Sequence, residues 1–297
     1  MYEAHFGLRE PPFSLTPDTS FFFAGAGSQE ALNTLLVAVR NGEGFVKITG
    51  EVGTGKTLLC RKFMAMLDGS FVTAYIPNPS LEPRTLMLAL ADELEIPLTK
   101  EIDQHQLLKS INHRLLILAR EGKRVVLCLD EAQAIPVESL EALRLLTNLE
   151  TEKRKLLQIV MFGQPELNRT LQREDIRQLA QRIGFHYHLG PLSRDDLEFY
   201  LAHRLSIAGF SGSRLFGRDA ISALKSASGG IPRLVNILAH KALMLAYGEG
   251  KRQVRARHVN TAASDTAAAK KTRLYKVLAG ALLLVAAGAV AGWMYFR

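Results

Sequence analysis

The chain has 297 residues, 47% hydrophobic and 22% charged, a balance that fits folded domains and excludes a disordered or collagen-like chain. Its net charge of +8 lies at one end. Residues 251–297 hold nine lysines and arginines against one acid, Asp265, whereas residues 1–250 are neutral. The main body therefore lacks the basic excess that non-specific nucleic-acid binding draws on.

Residues 1–25, rich in proline and phenylalanine, read as an irregular arm lying on a surface. The Phe21–Phe22–Phe23 run reads as packing, with an adenine pocket as the other possibility. SQEALNTLLVAVRN (28–41) has helical periodicity, with Ser28 as N-cap. Strands and helices then alternate. Strands are expected at 45–49, 71–76, 124–130, 156–163 and 185–189. Helices are expected at 56–67, 83–95, 103–120 and 137–150, with short ones after Pro165 and Asp175. This alternation predicts an α/β core with a parallel five-stranded sheet and helices on both faces.

After Pro191 the strand pattern stops. Helices at 193–208, 217–228, 231–247 and 255–263 predict a small all-helical domain. The expected division is a core with its arm over 1–190, a helical lid over 191–263, a basic linker over 264–273 and an apolar helix over 274–296. Cys60 and Cys128 fall in apolar runs and read as buried, reduced thiols, with no Cys/His spacing for zinc. The N-terminus lacks the basic flank and apolar run of a signal peptide.

GEVGTGKT (50–57) fits the phosphate-binding pattern G-x-x-x-x-G-K-[ST], with a strand before it and a helix after. Gly50, Gly53 and Gly55 permit turns that let the backbone N–H groups of the loop, through Glu51, Val52 and Thr54, point inward at phosphate oxygens. Lys56 is the residue for the β- and γ-phosphates, and the Thr57 hydroxyl is a ligand for Mg²⁺. VVLCLDE (125–131) ends an apolar strand in two acids. Asp130 is placed to hold Mg²⁺ through water, and Glu131 to polarise the attacking water. The implied ligands are ATP and Mg²⁺.

Two arginines narrow the class. Arg182 lies between a short helix and the fifth strand, and Arg233 opens a helix in SGGIPRLVNIL. A small helical lid after such a core, with arginines at these places, resembles AAA+ ATPases. The resemblance implies that Arg182 is a finger reaching a neighbouring subunit's γ-phosphate, with Arg177 the weaker candidate. It also implies that Arg233 is a second sensor acting in cis. The first-sensor place, commonly Asn or Thr, holds Gln164 in FGQPEL. His186 and His188 share one face of a strand and read as a packed or surface pair.

MYEAHFGLREPPFSLTPD, GEVGTGKT, LDEAQ, FGQPEL, LAQRI and GGIPR together resemble the ExeA/GspA family over about residues 1–260. These are inner-membrane ATPases of type II secretion and type IV pilus assembly. The branch serving MSHA-type pili is the nearest match, because ExeA/GspA chains continue past their membrane helix into a peptidoglycan-binding region and this sequence stops at Arg297. The resemblance implies a homo-oligomer that hydrolyses ATP to support assembly proteins of the inner membrane. A transposition-type, DNA-binding ATPase and an ATP-switched scaffold with little turnover are the other readings. The neutral body and apolar tail weigh against nucleic acid as a partner.

Val277–Phe296 is 20 residues without a charge. As a helix it would be about 30 Å long, matching a bilayer core. Trp293 and Tyr295 near one end and Tyr275 near the other suit the interfaces. Lys270, Lys271, Arg273 and Lys276 precede it, so the positive-inside rule places residues 1–273 in the cytoplasm. Gly288 and Gly292 form a G-x-x-x-G that could pair helices.

Overall fold

The computed structural model describes residues 1–98, 101–147, 150–151, 154–267 and 269. The chain divides into two compact units, one of residues 17–190 and the other of residues 1–16 with those from 191 onward.

The larger unit is built on a parallel sheet. Its strands are β1 (Phe45–Gly50), β2 (Phe71–Ile76), β3 (Arg124–Leu129), β4 (Leu157–Gly163) and β5 (Ile183–Leu189). Their spatial order is β2-β3-β4-β1-β5, so β4 is inserted between the strands that carry the two acidic and glycine-rich loops. The register sets Thr49 opposite Gly163 and Leu129 opposite Met161, which brings the C-terminal ends of β1, β3 and β4 to one edge. In open α/β sheets this is the edge where ligands bind.

Strand alternation decides which helix covers which face. Val126, Cys128, Val160 and Phe162 point to one face. They pack with Leu32, Leu35, Leu59 and Phe63 of α1 (Ala26–Asn41) and α2 (Lys56–Met66). Val125, Leu127, Ile159 and Met161 point to the other. There they meet Leu90 of α3 (Pro83–Glu93), Ile111 of α4 (Gln104–Arg120), Leu143 of α5 (Val137–Leu146) and Leu167 of α6 (Glu166–Leu171). Every residue of β4 is buried, as a strand covered on both faces requires.

Several local expectations shift. The helix expected from Ser28 starts at Ala26 with Gly25 as its N-cap, so Ser28 lies inside the first turn. The helix expected to reach residue 150 stops at Leu146, and a short antiparallel pair, Glu150–Thr151 with Arg154–Lys155, follows it. The fifth strand starts two residues earlier than its apolar run, because pairing with β1 begins at Ile183. Phe21 is buried in a short turn, Thr19–Phe21, and Phe22 packs on the α1–α2 side of the sheet.

The second unit holds α7 (Arg194–Ile207), α8 (Arg218–Ser228), α9 (Pro232–Gly248) and α10 (Ala256–Ser264). Ser193 and Asp196 form a capping box at the start of α7. The arm was expected to go with the sheet; up to Thr16 it packs on this helical unit instead. The physical reason is specific docking. The buried Arg204 guanidinium donates to Pro12 O and Ser14 O, Phe13 meets Phe216 edge-on at 5.7 Å, and Tyr2 OH lies 2.9 Å from His240 Nδ1. Among the described residues no helix is long and apolar enough to cross a membrane. The linker beyond 269 and the 274–296 segment, with Gly288 and Gly292, lie outside the described residues.

Candidate functional site

The loop between β1 and α2 reverses the chain tightly. Gly55, at φ 98°, is the residue before the helix, a left-handed conformation that side chains disfavour. A Cβ at Gly50 would stand 2.6 Å from Leu189 O and 2.8 Å from Thr54 Oγ1, so the close approach of β5 leaves room for glycine alone. Thr54 Oγ1 donates back to Glu51 O at 2.9 Å and closes the turn. Lys56 is buried, and its ammonium donates to Gly50 O at 2.8 Å and Glu51 O at 3.0 Å, inside the loop. Burial pushes its pKa down, and the carboxylates of Glu131 and Asp130 oppose that by favouring the charged form.

The acidic pair at the end of β3 faces this loop. Thr57 Oγ1 donates to Asp130 Oδ2 at 2.6 Å, so the predicted metal ligands Thr57 and Asp130 are in direct contact. Asp130 is 2% exposed, and burial raises its pKa against the Thr57 hydrogen bond. Glu131 N donates to Asp130 Oδ1 at 2.9 Å. Glu131 itself takes a left-handed backbone, φ 49° and ψ 38°, which costs a non-glycine residue on the order of 1–2 kcal/mol. That turn aims its carboxylate at β4. Oε2 accepts from Gln164 Nε2 at 3.2 Å and from Gln133 Nε2 at 2.6 Å. Burial alone would raise the Glu131 carboxyl; the two amide hydrogen bonds and the Lys56 charge outweigh it and hold the group below the usual carboxylate range.

Gly50, Glu51, Val52, Gly53, Thr54, Gly55, Lys56, Thr57, Asp130, Glu131 and Gln164 therefore converge at one edge of the sheet. Gln133 was not singled out from the sequence, although it stands in the LDEAQ run. Its signal was only its place two residues after a candidate base. Tyr75, whose hydroxyl is 3.5 Å from Asp130 Oδ2, was also missed, because a tyrosine in a strand reads as packing.

Arg182 is not part of this cluster. It precedes Ile183, which pairs with Phe45 at the start of β1, whereas Leu189 pairs with Gly50 at its end. Seven strand residues put it roughly 20 Å from the loop. Its guanidinium donates to Thr147 Oγ1 at 3.4 Å. Arg177 is exposed on a helical turn in the same unit. Arg233 is exposed in the first turn of α9, where the helix dipole disfavours a cation. His186 and His188 are exposed on edge strand β5, and His188 Nδ1 is 3.2 Å from Thr49 Oγ1. Cys60 and Cys128 are buried thiols, and the hydrogen bond with Cys128, together with burial, pushes the Cys60 thiol up.

The sheet order and the loops at its edge define a P-loop nucleotide-binding core. Residues 39–171 match the family model described as AAA domain. Over 301 aligned positions the chain is 42% identical to General secretion pathway protein A of Aeromonas hydrophila. The match covers all of this chain and 54% of that protein, so the chain spans about half the length of the curated relative. Solved structures share the fold. The ORC2 protein of Aeropyrum pernix in its ADPNP–ADP complexes is 20% identical with a TM-score of 0.61, over 86% of this chain and 71% of that one. Cdc6p of Pyrobaculum aerophilum is 18% identical with a TM-score of 0.63, over 80% and 68%. The RuvB Holliday junction branch migration motor of Thermotoga maritima is 17% identical with a TM-score of 0.53, over 80% and 68%.

Proposed function

We propose that this chain binds and hydrolyses ATP, in a homo-oligomer anchored in the inner membrane, to support assembly of a type II secretion or type IV pilus machine. The observation that carries the chemistry is the Glu131 carboxylate, held ionised by Gln133 and Gln164 beside the Thr57–Asp130 pair. The loop's turned-in backbone and buried Lys56 suit a polyphosphate. Thr57 and Asp130 are hard oxygen donors that fit Mg²⁺, which when bound would offset phosphate charge. Glu131 would take the proton of the attacking water, and Gln164 would help place it.

Arg233 would contact the nucleotide in cis. Arg182 would serve a neighbour's site, and its place at the far end of the sheet from its own loop supports that reading. The secretion role rests on the likeness to General secretion pathway protein A. The anchor rests on the uncharged stretch 277–296 and the four cations before it. An MSHA-type pilus role, as for MshM, is the finer form of the same proposal.

Phosphate release by the wild-type chain in detergent tests the hydrolysis, and undetectable release with intact nucleotide binding would leave only a switch. Purification of Glu131→Gln protein from solubilised membranes, with ATP, tests the role. Pilus or secretion inner-membrane components should come with it. DNA or a recombinase in their place would overturn the assembly reading.

A further inference from the structure

We infer that Gln133 is the positioning residue that couples the candidate base Glu131 to the end of β4, an inference that rests on the ATPase reading above. Its side-chain amide spans two groups. Oε1 accepts from the backbone N–H of Gln164 at 2.9 Å, and Nε2 donates to Glu131 Oε2 at 2.6 Å. The two partners fix the amide's orientation, because a backbone N–H only donates and an ionised carboxylate only accepts. A flipped amide would face donor to donor at one end and acceptor to acceptor at the other.

The surroundings make this bridge stiff. Gln133 is the middle residue of a tight turn, Ala132–Ala134, closed by Ala134 N donating to Glu131 O at 2.9 Å. That turn packs on α6 and on the end of β4. The left-handed backbone of Glu131 turns its side chain toward the same place. Glu131 Oε2 thereby takes both amides, from Gln133 and Gln164, while Oε1 has no hydrogen bond among the described residues. One carboxylate oxygen is anchored and the other is left for a water. A displacement of β4 that moves Gln164 N would be passed through Gln133 to the carboxylate, so a change at this strand end adjusts the base without touching the phosphate loop.

The experiment uses the full chain in detergent. Steady-state turnover and fluorescent-ATP affinity are measured for wild type, Gln133→Ala, Glu131→Gln and Glu131→Gln/Gln133→Ala, with thermal melting of each. The expected result is a kcat loss of roughly 10–100-fold for Gln133→Ala, the size typical of a lost orienting partner, with KM and nucleotide affinity within about threefold of wild type. The double variant should be no slower than Glu131→Gln alone, because an absent base has nothing to be positioned. Unchanged kcat in Gln133→Ala overturns the inference. So does a parallel loss of affinity, turnover and melting temperature, which would make Gln133 a fold residue. A wild type that binds ATP without turning it over fails the hydrolysis reading itself and is recognised before any Gln133 variant is compared.

Discussion

Glu131 and Asp130 are neighbours in sequence with opposite surroundings. Asp130 is almost fully buried against the Thr57 hydroxyl, and Glu131 is half-buried with two amides on one oxygen. The first suits a charge carrier and the second a proton acceptor. Glu131→Gln keeps the shape and the phosphate loop but removes the basic oxygen. It should bind ATP with near wild-type affinity and lose turnover by roughly 10²–10⁴-fold, the usual worth of a positioned base. Equilibrium binding and phosphate release on the same preparation check this. Gly50→Ala is a contrasting case. Its methyl would stand 2.6 Å from the Leu189 carbonyl, a backbone atom that yields only if β5 moves. That variant should lose nucleotide affinity first, by about tenfold or more, and the binding curve alone reads it.

The arm and its helices show a limit of sequence reading. PPFSLTP forms no periodic element, so its position along the chain suggested that it lies with the sheet that follows. Its partner is Arg204, whose place within the helical run of α7 gives no sign of a buried contact with Pro12 and Ser14 almost 200 positions away. Arg204→Ala leaves those carbonyls and the Tyr200–Asn236 pair without the guanidinium. It should cost about 1–3 kcal/mol, read by denaturant unfolding, and should speed trypsin cleavage at Arg9. Unchanged cleavage would mean that the arm's other contacts, among them Tyr2 with His240, Phe13 on Phe216 and Arg9 N on Ala208 O, hold it without Arg204. The sheet itself was legible because β3 is a near-continuous apolar run and β4 an apolar run broken only by Gln158, each followed by a polar turn. The site was legible wherever chemistry demands a residue type at a fixed spacing, as at Lys56, Thr57 and Asp130. Gln133 was not, because an uncharged amide beside a motif has no distinctive pattern until its two partners are placed. Helix ends also shifted, since Ser28 offered a cap that the chain bypassed for Gly25.

The parallel sheet separates two groups that the proposed reaction needs together. The phosphate loop follows β1 at one end, and Arg182 precedes β5 at the other, roughly 20 Å away along the strands. No side-chain reach closes that gap, so an active site that uses Arg182 must be shared between copies. Two inactive variants should then complement. Lys56→Ala removes the loop's cation and keeps Arg182, whereas Arg182→Ala keeps the loop and removes the finger. In a homo-oligomer a mixed interface can place an intact Arg182 against an intact loop. An equal mixture should therefore recover a fraction of wild-type turnover, on the order of a quarter if subunits assort at random, while each variant alone stays lower by about 10³-fold. Turnover of the wild type should also rise per subunit with protein concentration, because dilution removes the shared sites. A mixture no more active than its components, together with turnover per subunit that is flat on dilution, would place catalysis within one chain and return Arg182 to its hydrogen bond with Thr147.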